Sequence, residues 1–355
     1  MRAKTCALIA TASLALCACN TVGYYFQAID GHLDVMRRAV PIDEVIQNRG
    51  GNDALAQRLA SARAIRDFAS RELALPENGS YRRYADLGRP YVVWNVFAAP
   101  EFSIRPVESC FPFAGCVAYR GFYAEADARS FAREQQAGGL DTYVSGVAAY
   151  STLGWFDDPV LSTFVNYSDT ELARIIFHEL AHQVVYVRDD TQFNESFAAA
   201  VEQEGVRRWL ASQGGASAGE EMRRWKVAQA RRTEFLALLI RHRGELAKIY
   251  ASEASHVGKR IAKSGQLQRL AEDYAGLKKS WDGFSGYERF FAEGVNNALL
   301  ASIAVYSDFV PGFAGLIEKH HGDMEAFYVE ARNLSRQDKA SRAQALRASA
   351  AGLLN

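Results

Sequence analysis

The stretch FHELAHQ, Phe177 to Gln183, carries two histidines four residues apart with a glutamate directly after the first. On an α-helix that spacing is about one turn, so His178 and His182 share a face and can aim two imidazoles at one ion. Glu179 lies ~100° round the helix from His178, placed to reach a water beside the ion without ligating the ion. Ile175, Ile176 and Phe177 precede the motif, and Leu180 and Ala181 fill it, so the helix reads as a core element. Ser168 to Glu171, SDTE, is a capping box that predicts where this helix opens. Two structural helix histidines would leave the same motif, and a third donor is what separates the readings. Zinc suits imidazole nitrogens, and a catalytic zinc keeps three protein ligands and one open position.

The 355 residues, 49% of them hydrophobic, suffice for one large or two medium domains. Lys plus Arg and Asp plus Glu both number 41, a balance that calls for neither nucleic acid nor an anionic membrane surface as partner. Residues 20–75 read as helices. Leu87–Ile104 and Cys116–Tyr123 read as strands, with a helix over Ala124–Ala137 between the second of these and Gly138-Gly139. Leu140–Gly154 reads as extended structure with a glycine-marked kink, and from Ser168 onward the pattern is nearly all helical. The expected class is α+β, mostly helical, with a small β-sheet before the motif helix. The expected division is a leader, 1–18, and one unit, 19–355. That unit comprises N-terminal helices to 80, a sheet-containing part over 81–165 and a helical part, 166–355, that carries the metal site.

The first nineteen residues differ from the rest. Arg2 and Lys4 precede an apolar run from Ala7 to Leu16, the form of a signal peptide with too short an apolar core for a comfortable membrane span. Leu16-Cys17-Ala18-Cys19 resembles the bacterial lipobox, which implies cleavage before Cys19 and a lipid on its thiol. Asn20, in place of an aspartate, then points to the outer membrane and a periplasmic location. An ordinary secretory signal with incidental cysteines is the alternative. Loss of Arg2 and Lys4 leaves 39 basic against 41 acidic side chains, still near neutral. The mature chain keeps Cys110 and Cys116, six apart in CFPFAGC. In an oxidising compartment they form either a disulfide closing a small loop or two free thiols.

HELAHQ followed by NESFA resembles the gluzincin peptidases, especially the NExFA helix of their aminopeptidase members, whose glutamate ligates zinc. Carried over by position, that glutamate is Glu195, and the implied fold is zincin-like. Only twelve residues separate His182 from Glu195, so the connecting turn is trimmed. More closely, the chain resembles a family of bacterial lipoproteins identified as predicted aminopeptidases. The lipobox, CFPFAGCVAYRGF, AAYSTLGWFDDPVL, HELAHQ with NESFA, and NNALLASIAVYSDFVPGF carry that likeness. Glu202, seven residues after Glu195 and on the same helical face, suits a hydrogen bond that orients a ligand histidine and is the rival ligand. Asp189 and Asp190 read as a solvated turn.

Ser145–Gly154 is the expected substrate-binding edge, with Gly146, Ala148 and Tyr150 beside the peptide backbone; a plain core strand is the alternative. Tyr306, on an apolar helix, is the expected oxyanion donor, and a buried structural hydroxyl is its bland counterpart. The resulting expectation is a zinc metallopeptidase holding one Zn2+ per chain. Its partners are a peptide substrate and, through the lipid, a membrane. Aminopeptidase action follows from the resemblance. An endopeptidase, a cell-wall stem-peptide amidase and a non-catalytic zinc-binding scaffold are the alternatives. Glu179 weighs against the last, since a structural zinc needs no base beside it. The sequence sets no oligomeric state.

Overall fold

A computed structural model of the protein describes residues 23–48, 53–111, 115–292, 294–304 and 309–352. Helix α1 covers residues 23–38. There follow β1 (Val40–Pro41), α2 (Ile42–Gln47), α3 (Asp53–Leu73), β2 (Arg83–Ala85), β3 (Val93–Pro100), β4 (Ser109–Phe111), β5 (Gly115–Val117), β6 (Arg120–Phe122), α4 (Glu125–Ala137), β7 (Leu140–Val147) and β8 (Val160–Leu161). The remainder is helical: α5 (Asp169–Ala181), α6 (Thr191–Gln213), α7 (Gly215–Ala251), α8 (His256–Ser280), α9 (Glu288–Ala292), α10 (Asn297–Ala304), α11 (Val310–Lys319), α12 (Met324–Ser335) and α13 (Lys339–Gly352). The class is α+β and mostly helical, with small sheets ahead of the motif helix.

The central strand β3 pairs antiparallel with β6 on one side and β7 on the other. Its alternation divides the two faces. Trp94 and Val96 join Ala128 and Ala132 of α4 on one face, while Phe97 and Ala99 meet Ala298 of α10 on the other. The β7 ladder runs unbroken through Gly146, opposite Trp94, so no kink occurs there. Gly146 is needed for space: a Cβ would stand 2.2 Å from the Tyr91 ring. The single strand expected over Cys116–Tyr123 is two, β5 and β6, because β5 pairs with β4 and β6 with β3. Cys110 and Cys116 face one another across the β4–β5 hairpin and are joined as a disulfide.

The main core runs from Val35 of α1 to Leu346 of α13 and encloses α3, α5 and α6; Phe235 and Leu239 of α7, Leu270 and Tyr274 of α8 and Leu300 build a second cluster. Buried Arg66 on α3 gathers the carbonyls of Pro76, Asn78 and Ser80, shaping the turn before β2. Asn78 Nδ2 then donates to Gln183 Oε1 (2.7 Å) and Gln183 Nε2 donates to Ser80 Oγ (3.1 Å). This turn fixes the residue that follows His182.

Candidate metal centre

Ser168 Oγ accepts from the Glu171 amide (3.2 Å), so α5 opens where the capping box places it, and the Glu171 carboxylate turns to Arg174 (2.8 Å). The helix ends at the motif: His178 is in the last turn and His182 is the C-cap, with ring centroids 4.9 Å apart. α6 begins after a nine-residue connection. Asp190 caps it by accepting from the Phe193 amide (3.3 Å). Asn194 grips the same connection from within the helix, accepting from Val187 N–H (2.7 Å) and donating to Val187 C=O (2.8 Å). Asp189, with φ +64°, accepts from Cys116 N–H (2.6 Å) and ties the disulfide hairpin to this turn. The expected solvated turn is thus a braced one, and buried Asp190 pairs with buried Arg342 of α13 (2.7 Å).

These braces bring Glu195 to both histidines. His178 Nε2 lies 3.3 Å from Glu195 Oε2 and His182 Nε2 lies 3.7 Å from Glu195 Oε1. One donor atom from each of the three lies within 4.8 Å of the others, and among the described residues no other histidine, cysteine, aspartate or glutamate group converges in this way. Glu202 takes the other side of His178, with Oε2 3.0 Å from Nδ1. Its charge is further met by Arg174 (3.6 Å) and Arg232 (4.0 Å).

The electrostatics fit a cation. Burial opposes charge on His178, yet its hydrogen bonds to Glu195 and Glu202 outweigh that and push it up to about 10. Burial drives His182 down to about 4 and leaves it neutral, as a ligand must be. Burial pushes the Glu179 carboxyl up to about 7, against the pull of His178. Two carboxylates thus flank the His178 imidazole, Glu195 at Nε2 and Glu202 at Nδ1, with Arg174 and Arg232 answering the charge of Glu202. A divalent cation would take the place of the proton between His178 and Glu195. Two imidazole nitrogens and a carboxylate oxygen are a donor set that suits zinc.

His178, Glu179, His182 and Glu195 line a cleft of about 420 Å³. Its other walls include Tyr24, Asn95, Phe111, Tyr119, Tyr150 and Tyr186. Of the three residues expected along the substrate, Tyr150 lines the cleft. Gly146 lies under Tyr91, and the Ala148 carbonyl is taken by Thr163 Oγ1 (2.6 Å); Val147 and Ala149 are the cleft-lining neighbours. Tyr306 lies outside the described residues. Asn296 and Asn297 bind the backbone of Thr142, Pro100 and Glu101 and so hold α10 to the sheet. Tyr119 had only its place in CVAYRGFY to announce it. In the fold it stands in the cleft wall beside Phe97, and burial together with the Glu195 and Glu179 charges raises its phenol far above the usual range. His32 also escaped the spacing argument: its Nδ1 lies 2.7 Å from the Tyr150 hydroxyl.

A family model described as "Putative aminopeptidase" matches residues 23–346. The chain belongs to this family. The match spans α1 to α13 and includes His178, Glu179, His182, Glu195 and Glu202. No curated protein and no solved structure gives a match.

Proposed function

We propose that the protein is a zinc-dependent peptidase, acting as an aminopeptidase, and held at the periplasmic face of the outer membrane by a lipid on Cys19. The observation that carries the reading is the convergence of His178, His182 and Glu195 next to Glu179 on one cleft wall. A zinc ion held by those three would lend Lewis acidity to the scissile carbonyl and to water. Glu179 accepts the proton of the attacking water and passes it to the leaving amine. Glu202 fixes the ring of His178 through Nδ1, leaving Nε2 for the metal side. Tyr119 donates its hydroxyl to the developing oxyanion, a role its position in the cleft supports.

The decisive experiment incubates purified protein, with and without a chelator, with amino-terminally free and blocked peptides. Chelator-sensitive cleavage of the free peptides alone is expected. Equal cleavage of blocked peptides would identify an endopeptidase, and cleavage of cell-wall stem peptides alone an amidase. Glu179→Gln should keep the metal and lose roughly 10²–10⁴-fold in turnover. Zinc titration should find Glu195→Ala empty at micromolar free zinc, with Glu202→Ala weakened by about 10–100-fold; the reverse order would make Glu202 the ligand.

A further inference from the structure

Helix α1 has two unlike faces. Toward the body, Tyr24 stacks on Phe111, Val35 is fully buried, and Gly31 lies so close to Tyr123 that a Cβ would stand 2.2 Å from its ring. At ~100° per residue, Phe26, Ile29 and Leu33 fall on the opposite side. They are 71%, 59% and 40% exposed. The turn carrying Trp155 (77% exposed) and Phe156 (48% exposed) abuts this helix, since the Phe156 ring lies 4.6 Å from that of His32. A row of large apolar side chains facing solvent is the mark of an interaction surface, and tryptophan and phenylalanine at its rim suit a bilayer interface. The charges beside the row are paired, Asp30 with Arg37 (3.7 Å) and Asp34 with Arg38 (2.9 Å), so the surface carries no net attraction for anionic lipid.

The anchor site decides between occupants. Four residues take the chain from Cys19 to Gly23, a reach of at most ~14 Å even fully extended. A lipid on Cys19 therefore holds α1 at the membrane surface. No described helix is long and apolar enough to cross a membrane, so contact is along the surface. We propose that Phe26, Ile29 and Leu33 of α1, with Trp155 and Phe156, seat in the interfacial layer of the membrane that carries the anchor. Tyr24, on the opposite side of α1, lines the catalytic cleft. Docking then sets the orientation of the cleft to the bilayer as well as holding the chain there. The inference rests on the lipid anchor proposed above.

The test supplies its own anchor, so that its failure is separate from failure of the Cys19 assignment, which acyl-chain labelling of Cys19 in cells decides. The chain from Cys19 onward, which keeps every described residue, is coupled through the Cys19 thiol to a maleimide lipid. The vesicles are neutral phosphatidylcholine with brominated acyl chains. The Trp155 contribution to fluorescence, taken as the difference from Trp155→Phe, should be quenched in neutral vesicles and little affected by salt. Phe26→Ser/Ile29→Ser/Leu33→Ser should lower that quenching at least about fivefold, because interfacial binding follows buried apolar area. If the triple variant misfolds, Phe26→Ser and Ile29→Ser alone should each lower it part of the way. Absence of quenching in the coupled protein, or equal quenching in the variants, overturns the proposal. A soluble dimer that the same substitutions dissociate would overturn it in favour of a second copy.

Discussion

Buried Asp158 accepts from the Thr152 amide (2.8 Å) and hydroxyl (3.0 Å) through Oδ2, while its Oδ1 has no hydrogen-bond partner among the described residues. It thereby pins the segment that follows Tyr150 in the cleft wall. Burial raises its carboxyl to about 6 from an ordinary 3.8, and the Thr152 contacts only partly offset this. Because the folded value lies above the unfolded one, the protonated form contributes stability that is complete below about pH 4 and lost as pH rises through 6. Denaturant unfolding should show the native chain gaining about 2 kcal/mol on Asp158→Asn between pH 7 and pH 4.5. A pH-independent difference would mean that the carboxyl is solvated. The second residue to probe is Tyr119. Tyr119→Phe should lower turnover on free peptides roughly 10²-fold with zinc content unchanged, the loss typical of one oxyanion donor. If Tyr306→Phe does this and Tyr119→Phe does not, the donor is the one expected from the sequence.

At the scale of elements, the candidate metal centre depends on how closely α6 crosses α5. Gly205 sits at the crossing, where a Cβ would stand 2.6 Å from Phe177 Cδ2 and 2.8 Å from Leu73 Cδ1, both residues fully buried. Alanine is the better helix former by about 1 kcal/mol, yet overpacking a closed core costs about 1–3 kcal/mol. Gly205→Ala should therefore destabilise the protein. It should also weaken zinc binding, since Phe177 adjoins His178, and isothermal titration together with thermal unfolding checks both. A more stable variant with full affinity would show that the crossing has slack. The limits of sequence reading are visible in this pair of helices. The capping serine and the histidine spacing are local signals, and they place the opening of α5 and the shared face of its two histidines. Gly205 resembles any interior helix glycine, because what it makes room for lies on two other elements. The same is true of Gly146, read as a kink until Tyr91 is found above it. Strand pairing is also non-local, which is why one strand was expected where β5 and β6 turn to different partners.

Across the whole molecule, the C-terminal helix braces the candidate metal centre from afar. Arg342 of α13 donates to the Asp190 carboxylate that caps α6, and its guanidinium lies 5.5 Å from the Phe193 ring centroid. α11 and α13 pack backbone to backbone, with a Cβ at Gly312 only 2.4 Å from the Leu346 carbonyl. Removing one member of a buried ion pair costs about 3–5 kcal/mol because the other is left unmatched. Arg342→Met should lose stability of that order and lower activity, while Asp190→Asn with Arg342→Met should recover part of it. Full additivity of the two losses would mean that they are not coupled. Nothing near FHELAHQ hints at this partner 152 residues away from Asp190. The distribution of contacts also bears on time. His178, His182, Glu195 and Glu202 occupy one helical hairpin, whose ends meet at small loop-closure cost, whereas the cleft needs Tyr24, Asn95, Tyr119 and Tyr150 brought together from distant parts of the chain. If the three donors hold zinc and the cleft holds peptide, as proposed, a folding chain would acquire its grip on metal first and its hold on peptide last, so a newly made molecule would pass through a stage in which it captures zinc before it can cleave peptides.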